Sequence, residues 1–187
     1  MTNKKIGIVV GSFRKGSFNK TLADYIFETL ENKGIEAEFV EYRNVPILEQ
    51  DTEYPTPKEM SDIRNQVSKL DGLWIVSPEY NGSYPALLKN LLDWLSRPAK
   101  QFDFETPTVI NSLPTTVSGA AGSTKAKFVR AQILGLLAYI RTNVMPGDGV
   151  GLQIPQEAWQ TGEFILSDEQ KEEINNQVNE FINFINK

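Results

Sequence analysis

The chain has 187 residues, 40% of them hydrophobic and 23% charged, with a net charge of -5. Such a length buries roughly 70% of the unfolded surface, enough for one self-sufficient core, and the composition is that of an ordinary soluble globular domain. An acidic balance argues against binding nucleic acid or anionic membranes, which need clustered Lys and Arg. The absence of His and Cys rules out thiolate and Ser-His nucleophiles, imidazole bases, thiolate zinc sites and histidine-ligated iron or copper.

The first apolar run, Lys5 to Val10, reads as a strand, and a helix follows near Asn19 to Lys33, with Leu22, Tyr25, Ile26, Thr29 and Leu30 at helical spacing. Lys33-Gly34 ends that helix as a C-cap. A strand is expected near Ala37 to Tyr42, then a loop from Arg43 to Pro55. Thr56-Pro57-Lys58-Glu59 opens a helix to about Leu70, read as N-cap, first-turn proline and capping-box glutamate. Leu73 to Ser77 forms the third strand and Ala86 to Ser96 the third helix. The fourth strand ends near Ser118, its start hidden in Phe102 to Val117 by Pro107, Asn111 and Pro114. A helix near Lys125 to Ile140, a fifth strand near Asn143 to Val150 and a last helix from Asp168 complete the pattern. Ser167 to Gln170 repeats the capping logic, and Ile174, Val178, Phe181, Ile182 and Ile185 place one stripe of that helix on the sheet. Five βα units imply an α/β domain spanning residues 1–187, with a parallel sheet and helices on both faces.

The longest apolar stretch, Ile133 to Ile140 with Gly135 inside it, is far shorter than the ~20 residues of a membrane helix. The apolar run after Lys4 and Lys5 is too short for a secretory core, so a cytoplasmic location is expected.

Loops leaving the carboxyl ends of parallel strands face the crevice where ligands bind. Gly11 to Asn19 leads from the first strand to a helix N-terminus, whose free amides and positive dipole favour a phosphate. Arg14 adds a charge-assisted contact, and Ser12, Ser17 and Asn19 add neutral donors. It is neither a Walker A loop nor a dinucleotide fingerprint. Taken singly, these residues read more readily as capping and surface residues, but their combination behind the first strand favours the phosphate site.

In Ser77 to Pro85, Asn81-Gly82 tolerates positive φ, which either brings backbone amides near a planar ligand or simply makes a tight turn before a proline-led helix, while Pro78 and Pro85 stiffen the ends. Tyr80 and Tyr84 are placed to stack on a ligand or to cover a partner surface, and Glu79 has no base or metal partner in the sequence. The run Ser118 to Ser123 is small enough for close approach of a flat ring and equally consistent with a plain flexible connection. Leu87, Leu88, Leu91, Leu92, Trp94 and Leu95 form an arc wider than the ~100° one core requires. A homodimer through helix 86–96 accounts for the excess, as does deep burial within one subunit.

With Gly11-Ser12-Phe13-Arg14-Lys15-Gly16-Ser17-Phe18-Asn19 and Ser77-Pro78-Glu79-Tyr80-Asn81-Gly82-Ser83-Tyr84-Pro85, continuing to Trp94, the sequence resembles the NADPH-dependent FMN reductase family of flavodoxin-like proteins, which includes quinone, azo-dye and chromate reductases. The resemblance fades after about Val150. It implies a three-layer flavodoxin-like fold with a five-stranded parallel sheet in order 2-1-3-4-5. It also implies Ser12, Arg14, Ser17, Phe18 and Asn19 around the FMN phosphate, and Pro78, Glu79, Tyr80, Asn81 and Gly82 beside the isoalloxazine ring. Ser118, Gly119 and Gly122 match the third flavin loop, and a homodimer or homotetramer is implied. Ala86 stands where the family commonly has glycine, and Ala120 and Ala121 where it is often richer in glycine.

The expected activity is an FMN-dependent oxidoreductase that takes hydride from NADPH or NADH and passes the electrons by a ping-pong mechanism to a quinone, flavin, azo compound or similar small acceptor. The cofactor then carries the chemistry and no catalytic side chain is required. The alternative is a non-enzymatic flavodoxin-like electron carrier. A receiver module on the same fold would need acidic residues where Gly11-Ser12 and Ser77-Pro78 stand.

Overall fold

A computed structural model describes residues 4–187. In chain order the elements are β1 (Lys5–Val10), α1 (Phe18–Asn32), β2 (Glu36–Phe39), α2 (Lys58–Val67), β3 (Gly72–Val76) and α3 (Ala86–Leu95). There follow β4 (Pro114–Ala121), α4 (Lys127–Tyr139), β5 (Asn143–Val144), β6 (Val150–Gln153), α5 (Gln156–Thr161) and α6 (Asp168–Ile185). The strands run parallel in the order β2-β1-β3-β4-β5, with β6 also pairing β4. This is the expected flavodoxin-like sheet.

Strand alternation divides the core in two. Val9, Leu73, Ile75 and Val117 meet α2, α3 and α4 on one face, through Ile63, Leu91 and Ile133 among others. Ile6, Ile8, Trp74 and Val76 meet α1 and α6 on the other, through Leu22, Ile26, Val178 and Phe181. The stripe expected on the last helix is therefore its buried face, and the reciprocal capping box between Ser167 and Gln170 is present. Among these apolar residues sits Gln177, 2% exposed, whose amide nitrogen donates to the Thr116 hydroxyl and the Val117 carbonyl, each at 2.9 Å. Its oxygen accepts from Ser118 Oγ and the Val150 amide, which ties α6 to β4 and β6.

Four local expectations need correction. Thr56 does not cap α2; Pro57 holds the N-cap position without a side-chain cap, and the Thr56 hydroxyl accepts from Arg64 at 3.1 Å. The fourth strand starts at Pro114 and continues through Ala121, so Ser118 to Ala121 are strand rather than loop. A proline is tolerated at a strand's first residue. Small residues suit its far end because Gly119 lies so close to its neighbours that a Cβ would sit 2.5 Å from the Ser77 carbonyl oxygen. The fifth strand is split: β5 pairs with the start of β4, β6 with its end, and residues 146–149 leave the ladder after the Met145 amide donates to the Thr115 carbonyl at 2.8 Å. Pro146 lacks an amide hydrogen, and Gly147 and Gly149 adopt φ of 106° and 66°, outside strand geometry. Finally, the apolar arc of α3 is used inside the chain: Leu88, Leu91, Leu92, Trp94 and Leu95 are all at most 1% exposed. Leu87, the remaining member of the arc, is only partly buried.

Among the described residues no helix is long and apolar enough to cross a membrane. The loop before α2 is fastened to the end of α3 by Glu53, 2% exposed, which accepts from Arg97 Nε at 2.8 Å and Nη2 at 2.6 Å. The guanidinium holds this carboxyl below its ordinary value of 4.5 despite burial, which acts in the opposite direction. A carboxyl depressed on folding contributes stability above its unfolded value and loses it as pH falls through the folded one. Acidification below about 4.5 should therefore lower the urea midpoint of the wild type more steeply than that of Glu53→Gln. Parallel pH slopes for the two proteins would assign the acid sensitivity to other groups.

Candidate functional site

The carboxyl ends of β1, β3, β4 and β6 open onto one groove lined by Ser12, Arg14, Ser17, Phe18, Asn19, Pro78, Glu79, Tyr80, Ala120, Ala121, Gly122, Ile154 and Trp159. Most of the residues expected around a flavin thus converge. Asn81, Gly82, Ser118 and Gly119 do not line it. The groove encloses about 200 Å³, below the roughly 300–1,000 Å³ of a closed small-molecule pocket. A ligand as large as a flavin would lie along it with part of its surface outside.

The first loop is held from behind. The Gly11 amide donates to the Val76 carbonyl at 2.8 Å, and Arg43 donates to the Phe13 carbonyl at 2.7 Å. The Tyr42 hydroxyl donates to the Val10 carbonyl at 2.8 Å, and its ring lies 4.8 Å from that of Phe13. Burial pushes the Tyr42 hydroxyl pKa up. Ser17 is the N-cap of α1, its oxygen accepting from the Lys20 amide. Within the first turn this takes up the Lys20 amide, which leaves those of Phe18 and Asn19 with no carbonyl of their own helix to bond. Arg14 is exposed, donates to the Gly16 carbonyl at 2.8 Å and lies over the Phe18 ring.

Asn19 has a role that its expected place beside a phosphate did not anticipate. Its side-chain nitrogen donates to the Ala120 carbonyl and its oxygen accepts from the Ala120 amide, both at 2.9 Å and both buried. The side chain clamps α1 to the end of β4 and keeps only one N-H for any ligand.

In the second loop, Asn81 and Gly82 take φ of 52° and 74°, as their types allow. The Tyr80 and Ser83 backbones exchange hydrogen bonds of 2.8 and 3.0 Å across this tight turn. Both amides are consumed there, which leaves those of Asn81 and Gly82 at the tip. Gln132 of α4 steadies the tip by donating to the Gly82 carbonyl and accepting from Ser83 Oγ, both at 2.7 Å.

Glu79 points away from a purely flavin-facing role. One carboxylate oxygen accepts from the Phe128 and Val129 amides at 2.9 and 3.0 Å. The residue preceding α4, Ala126, is left-handed at φ 56° and has no side chain able to cap. Glu79 therefore caps α4 from a different loop, with its negative charge at the positive end of the helix.

Ser118 is a further correction. Fully buried, it accepts from Trp74 Nε1 at 3.0 Å and donates to Gln177 at 2.8 Å, within the core rather than the groove. Gly119 serves close packing, and only Gly122 of the three third-loop residues reaches the groove. Ala120, Ala121, Ile154 and Trp159 were missed. The two alanines belong to the small-residue run expected to let a flat ring approach but were not named as site residues, and Ile154 and Trp159 lie where the motifs have ended.

The family model of the NADPH-dependent FMN reductases matches residues 4–154. The chain belongs to this family. It is an oxidoreductase with FMN as cofactor and reduced nicotinamide as co-substrate. A 2-hydroxy-1,4-benzoquinone reductase of Burkholderia sp is 36% identical over 137 residues, covering 73% of this chain and 71% of that protein. A quinone reductase of Escherichia coli is 32% identical over 143 residues, covering 72% of each. Among solved structures, FerB of Paracoccus denitrificans, a flavoenzyme NAD(P)H:(acceptor) oxidoreductase, superposes with a TM-score of 0.84 at 24% identity, covering 98% of this chain and 97% of that one. An archaeal flavodoxin shares the fold with a TM-score of 0.62.

The cap on α4 gives this FMN reductase a stability test. Glu79→Ala should cost about 1 kcal/mol, read as a lower urea midpoint, and Glu79→Gln should cost less because an amide oxygen still accepts. A Glu79→Ala midpoint equal to wild type would show that α4 does not depend on this carboxylate.

Proposed function

We propose that this chain, as one domain over residues 1–187, is a cytoplasmic NAD(P)H-dependent quinone reductase working by a ping-pong mechanism. The observation that carries the reading is the groove itself, where a cationic, amide-rich end and a floor of small residues lie together at the strand ends of a chain without His or Cys.

The donors fit FMN. Arg14, the Ser12 and Ser17 hydroxyls and the free amides of the first α1 turn would hold the phosphate. Ala120, Ala121 and Gly122 keep one wall low enough for a flat ring, and Pro78 and Tyr80 border the opposite side. Bound FMN would supply the redox chemistry, accepting hydride from a nicotinamide and releasing electrons to an acceptor. The chain's own part is binding and orientation. The amides of Asn81 and Gly82, free at the tip of a turn fixed by Gln132, are donors for the ring's polar edge. No side chain here needs to exchange a proton as nucleophile or base.

Nicotinamide and acceptor use the same open side of the groove in succession, since it encloses too little space for both beside a flavin. Tyr80, 51% exposed at the rim, offers an aromatic surface to either. The quinone reductase relatives support a quinone as acceptor. A flavin or azo compound would stack in the same place. A homodimer or homotetramer through helix 86–96 stays the expected assembly by family membership, without support from the buried arc of α3.

Purified protein should take up FMN and oxidise NADPH faster when a quinone is added, with parallel double-reciprocal lines when both substrates are varied. Intersecting lines would refute the shared site. Arg14→Ala should weaken FMN binding about tenfold to a hundredfold while leaving the fold intact; unchanged affinity would move the phosphate elsewhere.

A further inference from the structure

One wall of the groove comes from a segment outside the family match. Trp159 lies on α5, beyond residue 154 where that match ends, and is 57% exposed, whereas Trp74 and Trp94 are at most 1% exposed. An indole left this open in a chain that buries its other two has a free face.

Its place is fixed by the backbone. The Ile154 amide donates to the Ala121 carbonyl at 2.7 Å, which pins the start of the segment to the end of β4. Ala158 is buried beneath the helix, and Gly162 closes it at φ 81°. Trp159 then meets Phe18 edge-on, with ring centres 5.1 Å apart and planes at 84°. On the same Phe18 ring the Arg14 guanidinium carbon sits 4.6 Å from the centre. Indole, phenyl and guanidinium therefore form one contiguous row along the end of the groove where the α1 amides are free.

We propose that Trp159 is a positioning residue for the FMN phosphate: it braces Phe18, on which Arg14 rests. This rests on the FMN reading of the groove. Arg14 is exposed and otherwise held only through the Gly16 carbonyl. Without the row behind Phe18 it loses the cation–π contact that limits its rotamers. A tryptophan that merely covered Ala158 would contribute to stability and not to phosphate recognition.

FMN and riboflavin, which differ only by the phosphate, separate these roles. Dissociation constants would be measured by flavin fluorescence for flavin-stripped wild type, Trp159→Ala, Trp159→Phe, Arg14→Ala and the double variant Trp159→Ala/Arg14→Ala. Trp159→Ala should weaken FMN about tenfold and riboflavin less than about twofold, with most of the loss recovered by Trp159→Phe. The double variant should bind FMN about as well as Arg14→Ala alone, because the two side chains act as a unit. Should Trp159→Ala not fold, Trp159→Leu keeps apolar cover without an aromatic edge and carries the same expectation. Equal loss for both flavins, additive effects in the double variant, or unchanged FMN affinity would each overturn the role of Trp159 while leaving the cofactor in place. Wild-type protein that binds neither flavin would overturn the cofactor reading and this proposal together.

Discussion

The Asn19 side chain and the Ala120 backbone bond each other in both directions in a buried setting, and the spacing of the groove follows from that pair. It locks the first turn of α1 to the end of β4, so the free amides of the phosphate loop and the low wall of alanines cannot drift apart. Buried amide pairs are costly to leave half made, which makes such a clamp stiff. One ladder bond and one helix cap extend it. The Ser77 amide donates to the Ser118 carbonyl at 3.0 Å, and the Glu79 carboxylate caps α4. Each strand-end loop is therefore held by an element from another βα unit, and the groove is set before any ligand arrives.

Such preorganisation matters because the chain has no His or Cys to do chemistry. What remains for the protein is to bind, orient and exclude water. Polar side chains near the groove follow this division. Asn19, Glu79 and Ser118 spend their hydrogen bonds on backbone or core partners, while Arg14 and the loop amides stay available. The frame is rigid and the ligand-facing edge is thin. A groove of about 200 Å³ leaves much of a bound flavin uncovered, and that open side is where successive small substrates would meet it.

Sequence made some of this legible and hid the rest for identifiable reasons. The buried strands β1 and β3, the α6 stripe and its capping box announce themselves by periodicity and short-range chemistry, so their positions hold. Positive φ at Asn81-Gly82 was readable from residue type. The end of β4 was not, because Ser118 to Ala121 look like a loop until Gly119 is seen pressed against the Ser77 carbonyl. The break in the fifth strand depends on how residues 146–149 leave the β4 ladder. The roles of Asn19, Glu79 and Gln177 depend on partners tens of residues away. Local pattern gives the existence of these polar residues, not the direction in which they point. Trp159 was missed because α5 is a six-residue helix too short for a periodic signal.

The central claim is that this groove holds FMN and that the bound cofactor is reduced directly by nicotinamide. Anaerobic stopped-flow mixing of the FMN-loaded protein with NADPH tests it most directly. The account predicts that the flavin absorbance near 450 nm bleaches by about one equivalent per bound FMN, at least as fast as steady-state turnover, and returns on adding a quinone without oxygen. Protein that holds FMN yet keeps its oxidised spectrum with both NADPH and NADH would contradict the account and leave a flavin-bearing electron carrier in its place.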